Sequence, residues 1–406
     1  MKKNPLFFYF FIFIALPIGV SFAQSDLMTF GYVQSAFTRY ENDWDPEYDY
    51  GPENRINFMG INQLNLFFTK SYTQDITAFV NFEFTNNYSS NKGFGYFNLQ
   101  EAYVRWDYKD YFRLKFGMVL PQFNAMYEIY NRFPLFPYIA RPKMYETNLE
   151  NVINLFDILP QKALIQMFGS LPINDDFNFE YAGYLGNPPN SFISSPNNDL
   201  LPGYVSYGQS ATGYVSFGGR VGIKSNFLRL GASINMDRDN KTKFITYDQN
   251  IVGREVDLGS FNRTRIGFDI SLEFQNFVLT AEYLKVITDI DATTQDSLNA
   301  WSKINSNYNG EDFDKEAYFI TLQYYFTEKF YAFAMLDYLN DNTNRYYFGL
   351  DGSQGINIGA GYSVLDELIL KTQVIFNKGK YDIGMTNDPI RKYSERQYQI
   401  GASFTF

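Results

Sequence analysis

Two sets of charged residues in this 406-residue chain are spaced so that they could act together on an ionic solute. Arg105, Arg113, Lys115 and Arg220 fall on one parity of alternating apolar–polar segments, and Asp269, Glu273, Glu282 and Asp337 do the same further along the chain. The stretch "YNRFPLFPYIARPKMYE" (130–146) adds Arg132, Arg141 and Lys143 to a run rich in aromatic residues and proline. Such cations attract anions, and a basic wall facing an acidic one sets up a transverse field at a narrow point. Catalysis is not expected, because the chain has no His and no Cys. That removes the commonest general base, the commonest transition-metal ligand and thiolate chemistry. Asp237 with Asp239, and Asp289 with Asp291, have D-x-D spacing but lack the glycine and distal glutamate of a calcium loop, so they read as solvated loop acids. The glycine-rich "GYVSFGGRVG" (213–222) lies on an alternating stretch and opens no helix, which argues against a phosphate-cradling loop. No metal and no cofactor is expected, and a formal charge of −10 argues against a nucleic-acid partner.

The elements that must position these charges are strands. Aromatic residues make up 19% of the chain, with 34 Tyr and 42 Phe, a content that favours strands over helices. In "RIGFDISLEF", Ile266, Phe268, Ile270, Leu272 and Phe274 alternate with Arg265, Asp269, Ser271 and Glu273. The last stretch, "SERQYQIGASFTF", alternates in the same way up to Phe406. Sixteen such segments are expected, at 27–40, 57–70, 75–86, 97–108, 111–119, 162–171, 177–186, 214–224, 227–236, 262–274, 277–287, 316–326, 329–339, 353–363, 368–377 and 395–406. Connectors after odd-numbered segments are long and those after even-numbered ones are short turns such as "SYTQ" and "KD". Outside the first 23 residues every proline falls in a connector, as a residue that cannot donate to a ladder should.

An even number of alternating strands with long and short connections in turn is the pattern of an all-β transmembrane antiparallel barrel. The apolar face then meets lipid and the charged face lines an aqueous lumen, since closure pairs every backbone group as a bilayer requires. Tyr72, Tyr108, Tyr111, Phe274, Phe277 and Phe326 flank the short turns as an interfacial girdle. Residues 1–23 read as a signal peptide, with Lys2 and Lys3 ahead of the apolar "LFFYFFIFIALPIGV" and Ser21-Phe22-Ala23 before the expected cleavage point. Residues 24–406 are expected to form one barrel in the bacterial outer membrane, with both termini periplasmic. Phe406 at the end of the last strand resembles the C-terminal signal by which the outer-membrane assembly machinery recognises its clients.

"LKFGMVLPQF" (114–123), "ARPKMYE" (140–146), "LIQMFGSLPINDDFNFEYAGYLGN" (164–187) and "GINIGAGYSVLDELILKTQVIFNKG" (355–379) resemble, in order and spacing, segments of the phosphate- and pyrophosphate-selective porin family. The resemblance implies a sixteen-stranded, usually trimeric porin whose long third loop folds into the barrel and constricts it; here that loop is 120–161. It also implies small hydrophilic solutes, and anions such as phosphate, as what passes. Lumen cations are sparser in this chain than in the best-known members of that family.

The residues alone leave three classes of function open: a passive diffusion channel, a channel for another class of solute, and a receptor or adhesin using the long outer connectors. Folding of the third loop into the lumen would bury its aromatics on the wall and leave Arg132, Arg141 and Lys143 in the aqueous path. Opposite them, the acidic wall of Asp269, Glu273, Glu282 and Asp337 is expected to face Arg105, Arg113, Lys115 and Arg220.

Overall fold

A computed structural model describes residues 27–43, 55–88, 96–145, 158–160, 162–188, 214–238, 243–248, 251–257, 262–289, 314–341, 350–381 and 391–406. The expected signal peptide lies outside them. The first nine strands are β1 (Met28–Asp43), β2 (Arg55–Ser71), β3 (Ile76–Tyr88), β4 (Tyr96–Lys109), β5 (Phe112–Val119), β6 (Ala163–Pro172), β7 (Asn178–Gly186), β8 (Ser216–Lys224) and β9 (Leu228–Arg238). A hairpin of β10 (Lys243–Asp248) and β11 (Ile251–Asp257) follows. The remaining strands are β12 (Asn262–Phe274), β13 (Phe277–Asp289), β14 (Lys315–Tyr325), β15 (Phe330–Asp341), β16 (Leu350–Leu365), β17 (Leu368–Tyr381) and β18 (Arg391–Thr405).

Sixteen of these close into one antiparallel barrel: β1 to β9 in order, then β12 to β18, with β18 returning to β1. The closing seam runs from Tyr32 opposite Thr405 to Asp43 opposite Ser394. It ends where the Gly31 amide donates to the Phe406 carbonyl at 2.9 Å and the Phe406 amide donates back at 3.0 Å. No sheet edge is left in the barrel, which is the condition for strands to cross hydrocarbon.

Alternation decides what each face meets. On β12, Arg263, Arg265 and Asp269 are buried in the interior, while Phe268 between them is 52% exposed outside. On β18, Ile400 is 66% exposed and its neighbour Gln399 is buried. In water this arrangement would be inside out; against lipid it is the favourable one. Tyr72, Tyr108, Tyr111, Phe274, Phe277 and Phe326 are all exposed beside the short turns.

Two differences from the sequence expectation have physical causes. β1, β16, β17 and β18 run three or four residues further toward the long connectors than the alternation indicated. Backbone pairing continues after the apolar face has ended, because a ladder bond does not depend on side-chain polarity. Residues 237–261, expected to be only a connector, contain the β10–β11 hairpin, a two-stranded sheet apart from the barrel with Asp248 opposite Ile251. Its β-branched content (Ile245, Thr246, Ile251, Val252, Val256) was the available signal.

Because every barrel strand is paired on both sides, the folded protein is expected to stay closed in mild SDS and to change apparent mass only after boiling. Far-UV circular dichroism should be dominated by β structure. A helical spectrum, or one gel position at all temperatures, would exclude the barrel.

Candidate functional site

The inward face is not uniformly polar. On β13–β15, Leu284, Phe319, Met335 and Leu339 occupy inward positions and are wholly buried. What buries them is the third loop, described over 120–145 and 158–160. The loop supplies Phe123, Met126, Tyr127, Tyr130, Phe133, Tyr138, Met144 and Tyr145 to one cluster with those wall residues. Tyr145 meets Phe319 edge-on at 6.3 Å between ring centroids, and Tyr138 meets Phe333 at 5.6 Å. Tyr127, Tyr130 and Tyr145 stack on one another at 5.6 to 6.4 Å. Pro134 and Pro137 keep this chain from forming one long helix; two short 3-10 turns, Tyr130–Leu135 and Lys143–Tyr145, take its place.

Polar contacts hold the loop to strands around most of the circumference, which only an interior segment can reach. From β17, Lys371 Nζ donates to the carbonyls of Pro134 (2.7 Å) and Phe136 (2.6 Å) and to Gln34 Oε1 of β1 (3.2 Å). Gln373 Oε1 accepts the amides of Ile139 (2.6 Å) and Ala140 (3.0 Å), and Gln34 donates to the Ile139 carbonyl at 2.8 Å. On β13, Glu282 accepts from the Met126 amide (2.7 Å) and the Tyr145 hydroxyl (2.5 Å). Lys143 pairs with Asp337 of β15 at 3.0 Å, and Glu128 with Lys115 of β5 at 2.8 Å.

Burial pulls the Lys143 ammonium below its ordinary pKa, with Asp337 offsetting only part of that. Burial works the other way on Glu128, yet the Lys115 ammonium and the Gln122 amide hold its carboxyl below the usual range.

Of the three loop cations expected in the aqueous path, Arg132 is exposed. Arg141 is buried over the rings of Tyr130 and Phe133 and donates to Gln63, and Lys143 is buried on Asp337. The apolar inward patch draws the loop onto the wall, and these two heads go with it. Arg220 is also buried: it grips Asp269 through Nε (2.9 Å) and Nη2 (2.6 Å) and lies 3.5 Å from Glu180. The pair crosses β9 at Gly231, where a Cβ would sit 2.2 Å from Arg220 Nη2 and 2.4 Å from Asp269 Oδ2, so any side chain there would displace it. Asp269, Glu282 and Asp337 thus meet donors locally, which weakens the field expected from opposed walls, whereas Glu273 is exposed near a short turn.

Arg105 and Arg113 remain partly exposed and share Asp107 at 2.8 and 3.8 Å; Arg113 also reaches Asp110 at 2.6 Å. Beside them, Lys224 and Arg229 share Glu180 at 3.9 and 3.2 Å. Sequence reasoning weighed only the charges of the lumen face and missed the loop's apolar socket. Its signal was there: Leu284, Phe319, Met335 and Leu339 occupy lumen parity on a wall supposed to face water. A separate apolar depression of about 750 Å³, lined by Val221, Leu230, Phe268 and Tyr318, lies on the lipid side, away from the lumen.

No family model matches the sequence, and no curated protein matches it either. Solved structures share the fold. A loop L8 deletion mutant of OmpT, an outer membrane protein of Vibrio cholerae, superposes with a TM-score of 0.55 at 14% identity, over 94% of this chain and 99% of that one. The anion-selective porin from Comamonas acidovorans gives 0.53 at 13% identity, over 94% and 100%. The outer membrane channel DcaP of Acinetobacter baumannii gives 0.53 at 11% identity, over 95% and 98%.

Lys371→Met removes the donor shared by two loop carbonyls and is expected to weaken loop docking by about 2 kcal/mol. Gly355→Val should act in the same direction, since a Cβ at Gly355 would stand 2.5 Å from Asp337 Oδ1 and 3.0 Å from Lys143 Nζ. In both variants, amide exchange and proteolytic cleavage within 120–145 should rise while the barrel stays heat-modifiable. Protection equal to wild type would mean that neither residue holds the loop.

Proposed function

We propose that the chain is an outer-membrane porin, a channel for passive diffusion of small hydrophilic solutes with a modest preference for anions, phosphate among them. The observation that carries this reading is the division of the inner wall. The apolar socket on β13–β15 holds the loop's aromatics, and on the β4–β9 side four half-exposed or exposed cations (Arg105, Arg113, Lys224, Arg229) pair with three carboxylates, Asp107, Asp110 and Glu180. Arg132 adds an exposed cation on the loop itself. A positive excess in a narrow aqueous path raises the local concentration of anions. Phosphate as a solute rests on the family resemblance and on this excess. No catalytic role is assigned: the chain lacks His and Cys, and its lumen carboxylates serve as structural partners.

The same reading includes removal of residues 1–23, periplasmic termini, contact with outer-membrane lipid, and a homotrimer in the membrane. Phe406 serves as the signal to the assembly machinery as well as a lipid contact. Its ring is exposed outside the barrel, where a Cβ on Gly31 would come within 2.7 Å of it.

Planar-bilayer recordings under a salt gradient test the channel and its selectivity. A reversal potential on the anion side is expected, and Arg132→Gln should lower the anion-to-cation permeability ratio roughly twofold. A cation-selective wild type would refute the anion preference, and a protein that inserts without conducting would refute the channel. For assembly, Phe406→Asp should cut the amount reaching the outer membrane far more than Thr405→Ser does. Equal levels of both variants would leave Phe406 as a lipid contact only.

A further inference from the structure

A second inward apolar feature borders the loop's cluster, against which Tyr103 packs, and is less completely covered than the socket. Phe30 of β1, Phe67 of β2, Phe79 of β3 and Tyr103 of β4 share the inward parity of Gln34, Asn65, Asn81 and Glu101, all of them buried lumen-face polar residues. Their rings form one continuous row. Phe30 stacks on Phe67 at 4.8 Å and 7°, Phe67 meets Phe79 at 5.8 Å, and Phe79 stacks on Tyr103 at 5.1 Å and 28°. Lys115 then continues the row, its ammonium 5.0 Å from the Tyr103 ring and 5.2 Å from Phe168 of β6.

Exposure distinguishes this row from the socket. Leu284, Phe319 and Met335 are at 0% under the loop, whereas Phe30 is 39% exposed and Phe79, Tyr103 and Phe168 are only partly buried; Phe67, at 1%, is enclosed by the rings of Phe30, Tyr32 and Phe79 and backs the row. Apolar rings left open on a polar wall give up burial they could have had, unless something stacks on them in passage. Two cations lie close to the row. Arg105 follows Tyr103 on β4 two residues later, partly exposed. Arg132 is the exposed cation of the loop and follows Asn131, whose amide reaches Glu101 of β4, two residues before Tyr103. Among the described residues, Arg132 has no ion pair and no side-chain hydrogen bond. Two carboxylates stand nearby: Glu101 is buried and accepts from Asn131 at 3.2 Å, and the partly exposed Asp107 pairs with Arg105 at 2.8 Å.

We propose that Phe30, Phe79 and Tyr103, joined through the buried Phe67, form with Arg105 and Arg132 a track for organic anions that carry a planar ring, aromatic carboxylates being the class. The ring slides over the aromatic faces while the carboxylate passes between the guanidinium groups. This rests on the channel reading and narrows its solute class from small anions in general to those with a π-face.

The probes are benzoate, cyclohexanecarboxylate (same charge, no flat ring), benzamide (flat ring, no charge) and acetate. They are added to chloride currents in planar bilayers and titrated calorimetrically into the folded protein in detergent, against empty micelles. Benzoate is expected to block at a lower concentration than the other three. Phe79→Leu, which keeps the apolar volume and removes the π-face, should raise the half-blocking benzoate concentration about fivefold. Arg132→Gln should raise it by a similar factor with little effect on benzamide. Heat-modifiable migration confirms that both variants are folded. Equal block by benzoate and cyclohexanecarboxylate, or a Phe79→Leu channel that responds as wild type does, would overturn the track. Benzamide binding as tightly as benzoate would overturn its anionic half. If the wild type fails to conduct, the channel reading falls by itself, and calorimetric binding of benzoate still decides whether the row takes such a ligand.

Discussion

The paired hydrogen bonds between Gly31 and Phe406 join the two ends of a single sheet, and everything else in the structure depends on that join. In hydrocarbon an unpaired amide or carbonyl costs several kcal/mol, so an open sixteen-stranded sheet would leave two ruinous edges. Closure removes both. It also fixes the meaning of alternation: once the sheet is a cylinder, one parity must face lipid and the other must face inward. Ile400 and Arg265 have opposite exposures because their parities differ, although by polarity alone a soluble protein would have reversed them.

A wide cylinder creates its own packing problem, since its interior is too large for wall side chains to fill. Here a loop does part of the filling. Its aromatics cover an apolar patch on β13–β15, and its backbone groups are met by Lys371, Gln373, Gln34 and Glu282. Glycine on the wall makes room for the charged parts: Gly355 lies under the Lys143–Asp337 pair and Gly231 under the Arg220–Asp269 pair. The ion pairs therefore lie close against the sheet.

Such contacts make the loop a fixed part of the wall. Removing one member of a buried pair leaves an uncompensated charge, typically at a cost of about 3–5 kcal/mol, so Lys143 and Arg220 have little freedom to vary independently of Asp337 and Asp269. Arg105, Arg113, Lys224, Arg229 and Arg132 are under no such constraint, being more exposed and shared among fewer carboxylates. Buried structural charge and more exposed charge are thus separated within one lumen, and the second set can vary without undocking the loop.

Sequence alone determined the barrel: the sixteen crossings, which residues face lipid, the girdle at the short turns and the position of the third loop all follow from a period of two and from where proline is excluded. Those are local properties of the chain. Strand ends were less legible, because β16 and β18 keep pairing after their apolar face has stopped, and the β10–β11 hairpin was hidden in a connector without a lipid-facing stripe. The state of each lumen charge could not be read at all. Arg132 and Arg141 stand nine residues apart in the same loop, yet one is exposed and the other lies on Tyr130 and Phe133. Likewise the inward rings of Phe79 and Phe319 look alike in an alternating pattern, and only the fold leaves the first open and covers the second. Which inward residues are filled over depends on contacts between segments more than a hundred residues apart, such as Gln34 with Ile139 and Lys371 with Pro134, and no local pattern encodes those.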